Sequence, residues 1–198
     1  MSDFWIILLF AFLAYLAGSI PSGYLVAKAR GVDIRKVGSG NIGGTNVTRA
    51  LGRKWGAVVG VLDFIKSYLP SFLALRFIRV DWQVLLISIM PVLGHVYPVW
   101  LKFKGGKGVA TIFGILTAYF GLAFFLVWFI VWYLAVKFIK LMSLVNLLMA
   151  LLFPLLFWLK FHSWLFAAFG FLLTILVWWS HRSNIKRLLA GNENLTNY

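Results

Sequence analysis

The stretch from Gly38 to Asn46 combines glycines with small side chains that form hydrogen bonds: Gly38-Ser39-Gly40-Asn41-Ile42-Gly43-Gly44-Thr45-Asn46. Glycine lets consecutive backbone N–H groups converge on one oxyanion, and the start of a following helix adds the positive end of its dipole. Arg49 falls in the first turn or so of that predicted helix and supplies a full positive charge. The segment therefore predicts a cradle for a phosphate or a carboxylate.

Two familiar nucleotide-binding motifs nearly fit this stretch, and neither matches fully. Gly38-x-Gly40-x-x-Gly43 has the spacing of the dinucleotide fingerprint, and Asp63 lies 20 residues after Gly43. However, no strand is predicted before the glycines, and Asp63 falls inside a predicted membrane span. The spacing also resembles a Walker A loop, but Gly44 stands where a lysine would neutralise phosphate charge. We therefore expect an anion cradle without a nucleotide-binding fold.

A second polar segment is a short loop in which lysines alternate with glycines: Lys102, Lys104, Gly105, Gly106, Lys107 and Gly108. Inner loops of membrane proteins are rich in lysine for topological reasons alone, so that interpretation stays open. Glycines that open a helix, with a lysine among them, favour a second anion site.

A third polar segment follows the last apolar stretch and contains His181, Arg182, Asn184, Lys186 and Arg187. A basic amphipathic helix lying on anionic lipid would explain these charges equally well. It explains less well why His181 and Asn184 lie on adjacent turns.

Several polar side chains fall inside or at the ends of apolar stretches, where they are costly and indicate function by default. Asp63 and Lys66 have the i, i+3 spacing of a structural ion pair, which we favour. His95 is either a base or substrate ligand, or a histidine that bonds a neighbouring helix. Ser143 and Asn146 begin an apolar stretch on the side where the polar loops are expected.

The composition excludes a soluble enzyme. Of the 198 residues, 62% are hydrophobic and 12% charged, with a mean hydropathy of +0.92. One soluble core cannot hide such an apolar surplus, because soluble domains carry about 25% charged residues. The net charge of +14 on so apolar a chain indicates a bilayer or anionic substrates rather than nucleic acid. The absence of cysteine excludes disulfides, thiolate metal sites and a cysteine nucleophile.

A transmembrane helix needs about 20 apolar residues. The candidate spans are Phe4 to about Ala27, Trp55–Leu75, Trp82–Leu101, Val109–Ile139, Ser143–Leu159 and Ser163–Ser180. The fourth is too long for one crossing, so we expect a break near Tyr119–Gly121 and seven helices. One long tilted helix would give six. The N-terminus lacks the basic residues of a signal peptide, so we keep its first segment as a span.

The positions of the cations test this count. With the N-terminus outside and seven spans, 15 of the 19 Lys and Arg side chains fall on the inner side. Arg76, Arg79 and Lys160 fall outside, and Lys66 lies within a span. The positive-inside rule predicts this asymmetry and favours seven spans over six. We therefore predict an all-α polytopic integral membrane protein, a single transmembrane domain over residues 1–198, with a cytoplasmic C-terminus.

The polar segments resemble the motifs of the bacterial acyl-phosphate:glycerol-3-phosphate acyltransferases, the PlsY family. The resemblance rests on GSIPSGYLVAK from Gly18, GSGNIGGTNVTRALGRKWG from Gly38, GHVYPVWLKFKGGKGVATIFG from Gly94 and HRSNIKRLLAGNE from His181. It implies acyl transfer from a fatty acyl phosphate to the sn-1 hydroxyl of glycerol 3-phosphate. The products would be 1-acylglycerol 3-phosphate and phosphate, in the first acylation of bacterial phospholipid synthesis.

With this reaction in view, the candidate residues take three groups of roles. Arg49, Lys104 and Asn184 would clamp the glycerol phosphate, because a doubly charged group needs fixed donors. An acyl phosphate cradle would comprise Ser39, Gly40, Asn41, Gly43, Thr45 and Asn46. Gly105, Gly106 and Lys107 would serve either substrate, and Asn146 would also contact substrate. His95, Ser143 and His181 would orient the acceptor or the donor as catalytic residues.

No His-x4-Asp pair of the soluble-type acyltransferases is present, because Trp100, Ala167 and Lys186 stand five residues after the three histidines. Since an acyl phosphate is already activated, positioning and a phosphate oxygen of the substrate would suffice. A His95 base stays open. We expect no metal, no cofactor and no nucleic-acid partner. Membrane lipids surround a monomer in the bacterial inner membrane, with the site facing the cytoplasm.

The alternative from another class is a transporter or flippase for a phosphorylated metabolite or lipid. It would need ionisable groups near the midplane and broken helices in both halves. A structural lipid-binding subunit is a third interpretation, but it leaves the glycine segments unexplained.

Overall fold

The computed structural model describes residues 2–196, and within that range every regular element is helical. The α-helices are α1 (Ser2–Ser19), α2 (Ser22–Ala29), α3 (Gly44–Leu51), α4 (Arg53–Phe77), α5 (Asp81–Val96), α6 (Val109–Phe120), α7 (Leu122–Ile139), α8 (Met142–Ala150), α9 (Phe153–Phe161), α10 (Trp164–Ser180) and α11 (Arg182–Leu189). Short 3-10 turns cover Ile34–Lys36 and Val99–Leu101. The prediction of an all-helical chain is confirmed for the described residues.

Five helical segments are long and apolar enough to cross a bilayer: Phe4–Ala29, Arg53–Phe77, Asp81–Leu101, Leu122–Ile139 and Met142–Phe161. Helices α10 and α11 would make a sixth if counted together, although they meet at 63°. Helix α6 has 12 residues, a length of about 18 Å at 1.5 Å per residue, against a hydrocarbon core of about 30 Å. Many large apolar side chains are exposed, as expected for helices facing lipid.

The predicted break in the long fourth segment is confirmed at Gly121, which has a φ of +91° that L side chains rarely adopt. Three further breaks were not predicted, and one of them lies at Tyr97 and Pro98, between α5 and the second 3-10 turn. The first segment is interrupted at Ile20 and Pro21, because the residue before a proline is pushed out of the helical conformation. The fifth segment is interrupted at Leu151 and Leu152.

The chain divides into two compact units, unit 1 up to Tyr119 and unit 2 from Phe120 onward. In unit 1, α1 packs directly on α5. A Cβ added at Gly18 would collide with the backbone of Pro91, and one at Gly94 would collide with the carbonyl of Tyr15. Such close backbone approach between small residues is the usual way in which membrane helices associate.

Buried hydroxyls join α4, α5 and α6 within unit 1. Ser67 Oγ donates to the Thr111 carbonyl at 2.5 Å, and Ser88 Oγ lies 3.0 Å from the Tyr119 hydroxyl. Gly114 of α6 lies directly against Ser67 and the Phe64 carbonyl of α4. The three helices are therefore held together by hydrogen bonds as well as by packing.

A small apolar cluster in unit 1 supports the polar segments. Its buried members come from α2, the first 3-10 turn, the glycine segment, α3 and α4: Ala27, Ile34, Ile42, Val47 and Val59. Leu101, just before the lysine loop, packs against the same cluster. The same apolar cluster therefore contacts the glycine segment, through Ile42, and the residue that precedes the lysine loop, Leu101.

Unit 2 is built around the antiparallel pair α9 and α10. Phe157 is fully buried and packs edge-on against Phe169 with ring centroids 5.3 Å apart. The break between α8 and α9 frees the Ala150 carbonyl, which accepts a hydrogen bond from Thr174 Oγ1 at 2.6 Å. The backbone polarity of this break is thus satisfied from within the unit.

The four-residue repeat of Gly52, Gly56 and Gly60 predicts close helix packing, and the structure confirms it at Gly56. A Cβ there would collide with the Thr48 side chain and lie 2.9 Å from the Gly44 carbonyl. Gly60 would meet nothing within 4 Å. Gly52 instead ends α3 at a φ of +88°.

Gly56→Ala should lower the free energy of unfolding by about 1–3 kcal/mol, because the added methyl overpacks the contact between α3 and α4. Gly60→Ala on the same helix is the matched control. It should leave stability unchanged or raise it by up to about 1 kcal/mol through helix propensity. Thermal unfolding of both variants in detergent would measure this, and equal shifts would contradict the assigned contact.

Candidate active site

Asn46 organises the glycine segment from inside. Its side chain is buried; Oδ1 accepts from the Ser39 N–H at 3.0 Å, and Nδ2 donates to the carbonyls of Val37 and Asn41, each at 2.9 Å. Gly38 and Gly40, at φ +56° and +68°, allow the backbone to fold around this amide. Asn46 was predicted to bind the substrate, and in the structure its side chain shapes the loop.

The other polar side chains of the segment also act on its backbone. Asn41 Oδ1 accepts from the Gly43 N–H at 2.8 Å, directly before α3 begins. Ser39 is exposed, and Gly40, Gly43 and Thr45 are partly exposed. Backbone N–H groups at the start of a helix lack partners within the helix and favour an anion. The segment is thus a preformed loop, held by its own hydrogen bonds, that leads into the start of α3.

Arg49 lies in the second turn of α3, not the first as expected, because α3 already begins at Gly44. Its side chain is exposed. No acidic side chain among residues 4–196 forms an ion pair with it. Its charge is therefore available to a ligand.

The turn before the glycine segment is neutralised internally. Arg35 donates hydrogen bonds to both carboxylate oxygens of Asp33, at 2.9 and 2.8 Å. These bonds lower the pKa of Asp33 to about 2, so the pair persists at neutral pH. The Arg35 guanidinium also lies 4.7 Å from the centre of the Tyr24 ring. Arg35 is thus a structural cation.

The lysine loop is tightly turned after α5. Lys102 and Phe103 have left-handed φ values of 53° and 61°, and the Lys104 N–H donates to the Leu101 carbonyl at 3.1 Å. Lys102 and Lys104 are exposed, whereas Lys107 is partly buried. No ion pair joins Lys102 or Lys104 to an acidic group in the described part of the chain.

Gly105 and Gly106 lie directly against His95, near the end of α5. Their N–H groups donate to the carbonyls of Val96 and His95 at 3.1 and 3.0 Å. A Cβ at Gly105 would collide with the His95 carbonyl, and one at Gly106 would collide with His95 Nε2. Glycine is required here by close approach rather than by flexibility.

His95 also faces the predicted ion pair. Lys66 Nζ lies 2.9 Å from Asp63 Oδ1, which confirms that pair, and His95 Nδ1 lies 3.6 Å from the same oxygen. The last distance is longer than a hydrogen bond. All three side chains are at least nine-tenths buried. The sequence analysis treated His95 separately from Asp63, and the structure brings them together.

In unit 2, Ser143 and Asn146 lie on α8 and are buried. Asn146 was predicted to contact substrate. Its Oδ1 already accepts a hydrogen bond from Trp132 Nε1 at 2.8 Å within the protein. Ser143 Oγ is buried without a hydrogen-bond partner among the described residues. Such an atom is costly unless something else bonds it.

His181 and Asn184 are buried at the junction of α10 and α11, which both pack against α8. His181 Nδ1 lies 2.8 Å from the Val177 carbonyl, which can only accept, so Nδ1 carries the proton in this contact. In the neutral ring the lone pair is then on Nε2. Asn184 Nδ2 donates to Glu193 at 2.7 Å, and the buried Asn184 Oδ1 has no partner among residues 2–196.

Glu193 is a residue of this region that the sequence analysis missed. Its carboxylate accepts from Asn184 and from Arg187 Nε at 2.8 Å, so Arg187 is neutralised within the unit. Its isolation in a basic tail, as one of only 5 acidic residues in the chain, was the available signal. No group of three His, Asp or Glu side chains in the described part is arranged to hold a metal ion.

The model of a family described as glycerol-3-phosphate acyltransferase matches residues 8–191. A glycerol-3-phosphate acyltransferase of Thermus thermophilus is 44% identical over 184 residues, covering 91% of this chain and 90% of the relative. That of Aquifex aeolicus is 42% identical over 185 residues, covering 91% and 94%.

Two crystal structures are also similar to the chain at 38% identity. Both are of PlsY (YgiH), an integral membrane glycerol 3-phosphate acyltransferase. Its glycerol 3-phosphate form has a TM-score of 0.90 and covers 96% of each chain. Its lysophosphatidic acid form has a TM-score of 0.88 and covers 96% of this chain and 95% of the other. The resemblance of the polar segments is confirmed, and the chain belongs to the glycerol-3-phosphate acyltransferase family.

Proposed function

We propose that this membrane acyltransferase moves a fatty acyl group from acyl phosphate to the sn-1 hydroxyl of glycerol 3-phosphate. The observation that carries the proposal is the pairing of a preformed glycine cradle with the exposed cations Arg49 and Lys104 on one apolar support in unit 1. Two anionic groups have to be bound at once in this reaction, and the chain offers two such loops. The glycerol 3-phosphate and lysophosphatidic acid forms of the similar crystal structures support the acceptor and the product.

The two loops of unit 1 take different substrates in this proposal. The glycine segment, shaped by Asn46, holds the acyl phosphate at the start of α3 and stabilises charge as phosphate leaves. Arg49 and Lys104 bind the phosphate of the acceptor through charge-assisted hydrogen bonds. Gly105, Gly106 and Lys107 complete the lysine loop and serve either substrate.

The reaction needs neither a covalent acyl-enzyme nor a cofactor, because the donor is a mixed anhydride. The sn-1 oxygen attacks the acyl carbon, and the bond from that carbon to the phosphate oxygen breaks. The hydroxyl proton passes to a phosphate oxygen of the substrate, and inorganic phosphate leaves. Holding the hydroxyl and the acyl carbon in reacting geometry supplies most of the acceleration.

The polar residues of unit 2 are assigned to orienting the substrates. Ser143 Oγ and Asn184 Oδ1 are buried and lack partners within the described chain, which suits groups completed by a ligand. The hydrogen bond from His181 Nδ1 to the Val177 carbonyl holds the ring. In this proposal Nε2 forms a hydrogen bond with a hydroxyl or a phosphate of the substrate. Asn146 would contact substrate mainly through its amide nitrogen, since Trp132 already donates to its oxygen.

The finer topology belongs to the same proposal. Residues 1–198 form one acyltransferase domain with seven membrane helices, α6 being a short one, an outer N-terminus and a cytoplasmic C-terminus. The distribution of 15 of 19 cations on one side supports this orientation. The protein works as a monomer in the bacterial inner membrane, with its site open to cytoplasmic glycerol 3-phosphate.

The purified protein should release one phosphate for each monoacyl product when given acyl phosphate and labelled glycerol 3-phosphate. Thin-layer separation of the labelled lipid and a phosphate assay measure both products. Transport of labelled glycerol 3-phosphate into vesicles without formation of a labelled lipid would instead favour a transporter.

Arg49→Ala should raise KM for glycerol 3-phosphate roughly tenfold to a hundredfold, because a charged hydrogen bond is worth about 1.5–3 kcal/mol. The KM of Arg49→Lys for glycerol 3-phosphate should lie between those of the unmodified protein and Arg49→Ala, since lysine keeps the charge but not the paired donors. Arg76→Ala, at another exposed arginine near the far end of α4, is the control. Steady-state kinetics on each substrate decide the matter, and an unchanged KM removes Arg49 from the site.

Ser143→Ala should lower kcat/KM about tenfold, the cost of one hydrogen bond to substrate, without lowering the unfolding temperature. Its hydroxyl has no partner to lose in the described structure. Ser71→Ala is the matched control, because Ser71 Oγ is likewise buried and unpartnered among the described residues but lies in α4 outside the proposed site. A loss of stability in Ser143→Ala would assign the hydroxyl to the scaffold.

A further inference from the structure

His95 forms the floor on which the lysine loop turns. Its carbonyl accepts from the Gly106 N–H, and its ring lies against the Gly106 Cα. Rotation of the ring would therefore press on Gly106, which lies between Lys104 and Lys107 in the lysine loop.

The group that faces the imidazole is the carboxylate of Asp63. His95 Nδ1 lies 3.6 Å from Asp63 Oδ1 and has no other partner in the described chain. Both groups are buried, on helices α4 and α5, and a buried polar group is costly unless a partner faces it. The carboxylate is thus the acidic group that faces Nδ1, at a distance slightly longer than a hydrogen bond.

Lys66 completes the cluster from the other side. Its Nζ lies 2.9 Å from Asp63 Oδ1 and also donates to the Ile20 carbonyl at 3.0 Å, in the break between α1 and α2. Asp63 therefore faces two side chains with different contacts. Lys66 bonds a carbonyl at the break between α1 and α2, and His95 supports the lysine loop.

We propose that Asp63 is a positioning residue for glycerol 3-phosphate binding, acting through the His95 ring on the Gly105–Gly106 turn. The inference rests on the proposed function, since it assigns the lysine loop to the acceptor phosphate. Asp63 itself touches no substrate. Its role for the site is to offer an oxygen to His95, separate from its role as the counterion of Lys66.

Two double variants separate these roles. Asp63→Asn/Lys66→Met and Asp63→Leu/Lys66→Met are both uncharged at the cluster, and Asn and Leu have nearly the same shape. Both lose the Lys66 bond to Ile20 equally. They differ in whether an oxygen remains for His95 Nδ1.

The Leu variant should show KM for glycerol 3-phosphate roughly tenfold above the Asn variant, because only Asn keeps a polar oxygen facing the buried His95 Nδ1. KM for acyl phosphate and the unfolding temperature should match between them. Equal KM values for glycerol 3-phosphate would overturn the proposal and leave Asp63 as a counterion only. The proposal would also be overturned if the Leu variant raised KM for acyl phosphate as much as KM for glycerol 3-phosphate, because that would indicate general damage to the site.

A second test reaches the same contact from its other end. Gly106→Ala places a methyl against His95 Nε2 and should raise KM for glycerol 3-phosphate even if the Leu variant does not fold. Combined with Asp63→Leu/Lys66→Met it should add little, because both changes displace the same ring. Additive effects would overturn the route through His95.

Ser71→Ala, a buried substitution two turns further along α4, controls for nonspecific disturbance of that helix. Failure of the proposed function is recognised separately. In that case the unmodified protein itself forms no monoacyl product, whereas failure of the present inference leaves it fully active and the two double variants indistinguishable.

Discussion

The Ile20 carbonyl, at the break where α1 stops before Pro21, accepts hydrogen bonds from the Ser22 N–H and from Lys66 Nζ, each at 3.0 Å. Lipid offers no donor to such a group, so every break in an apolar helix has to be satisfied by the protein. Lys66 in turn needs a buried anion, and Asp63 supplies it at 2.9 Å. His95 faces that same oxygen and supports the lysine loop. The demand created by one helix break thus extends through buried side chains to the residues expected to bind substrate.

The scarcity of acidic residues sets the electrostatics of the site. The chain has 19 Lys and Arg but only 5 Asp and Glu, and the structure pairs Asp33, Asp63 and Glu193 with Arg35, Lys66 and Arg187. Several other cations lie over aromatic rings, as Arg30 does 4.3 Å from the Trp55 ring. Arg49, Lys102 and Lys104, close to the glycines, form no ion pair with an acidic side chain within residues 4–196. Their charge is left for anionic ligands, and topology alone does not require that arrangement.

Periodicity and composition predicted the helical class, the break at Gly121 and the Asp63–Lys66 pair, because each follows from local spacing. They did not predict the break at Leu151, where no glycine interrupts the apolar run and the nearest proline follows at Pro154. They proposed the candidate site residues but not the contacts that each one makes within the protein. Asn46 was predicted to bind substrate, yet its side-chain amide forms hydrogen bonds with the backbone of its own loop. Such partners depend on the folded loop and cannot be read from the spacing of residues.

Glycine-rich loops are often taken to be mobile, yet the two loops here are constrained at most of their glycines. Gly38 and Gly40 fold around the buried Asn46 amide, while Gly105 and Gly106 have no room for a side chain beside His95. A loop that is already shaped loses little entropy when it binds a phosphate. A preshaped loop therefore suits an acyltransferase, because holding substrates in a fixed geometry is itself a source of rate acceleration. Glycine serves these loops by permitting close contact, as the approach of Gly106 to the His95 ring shows.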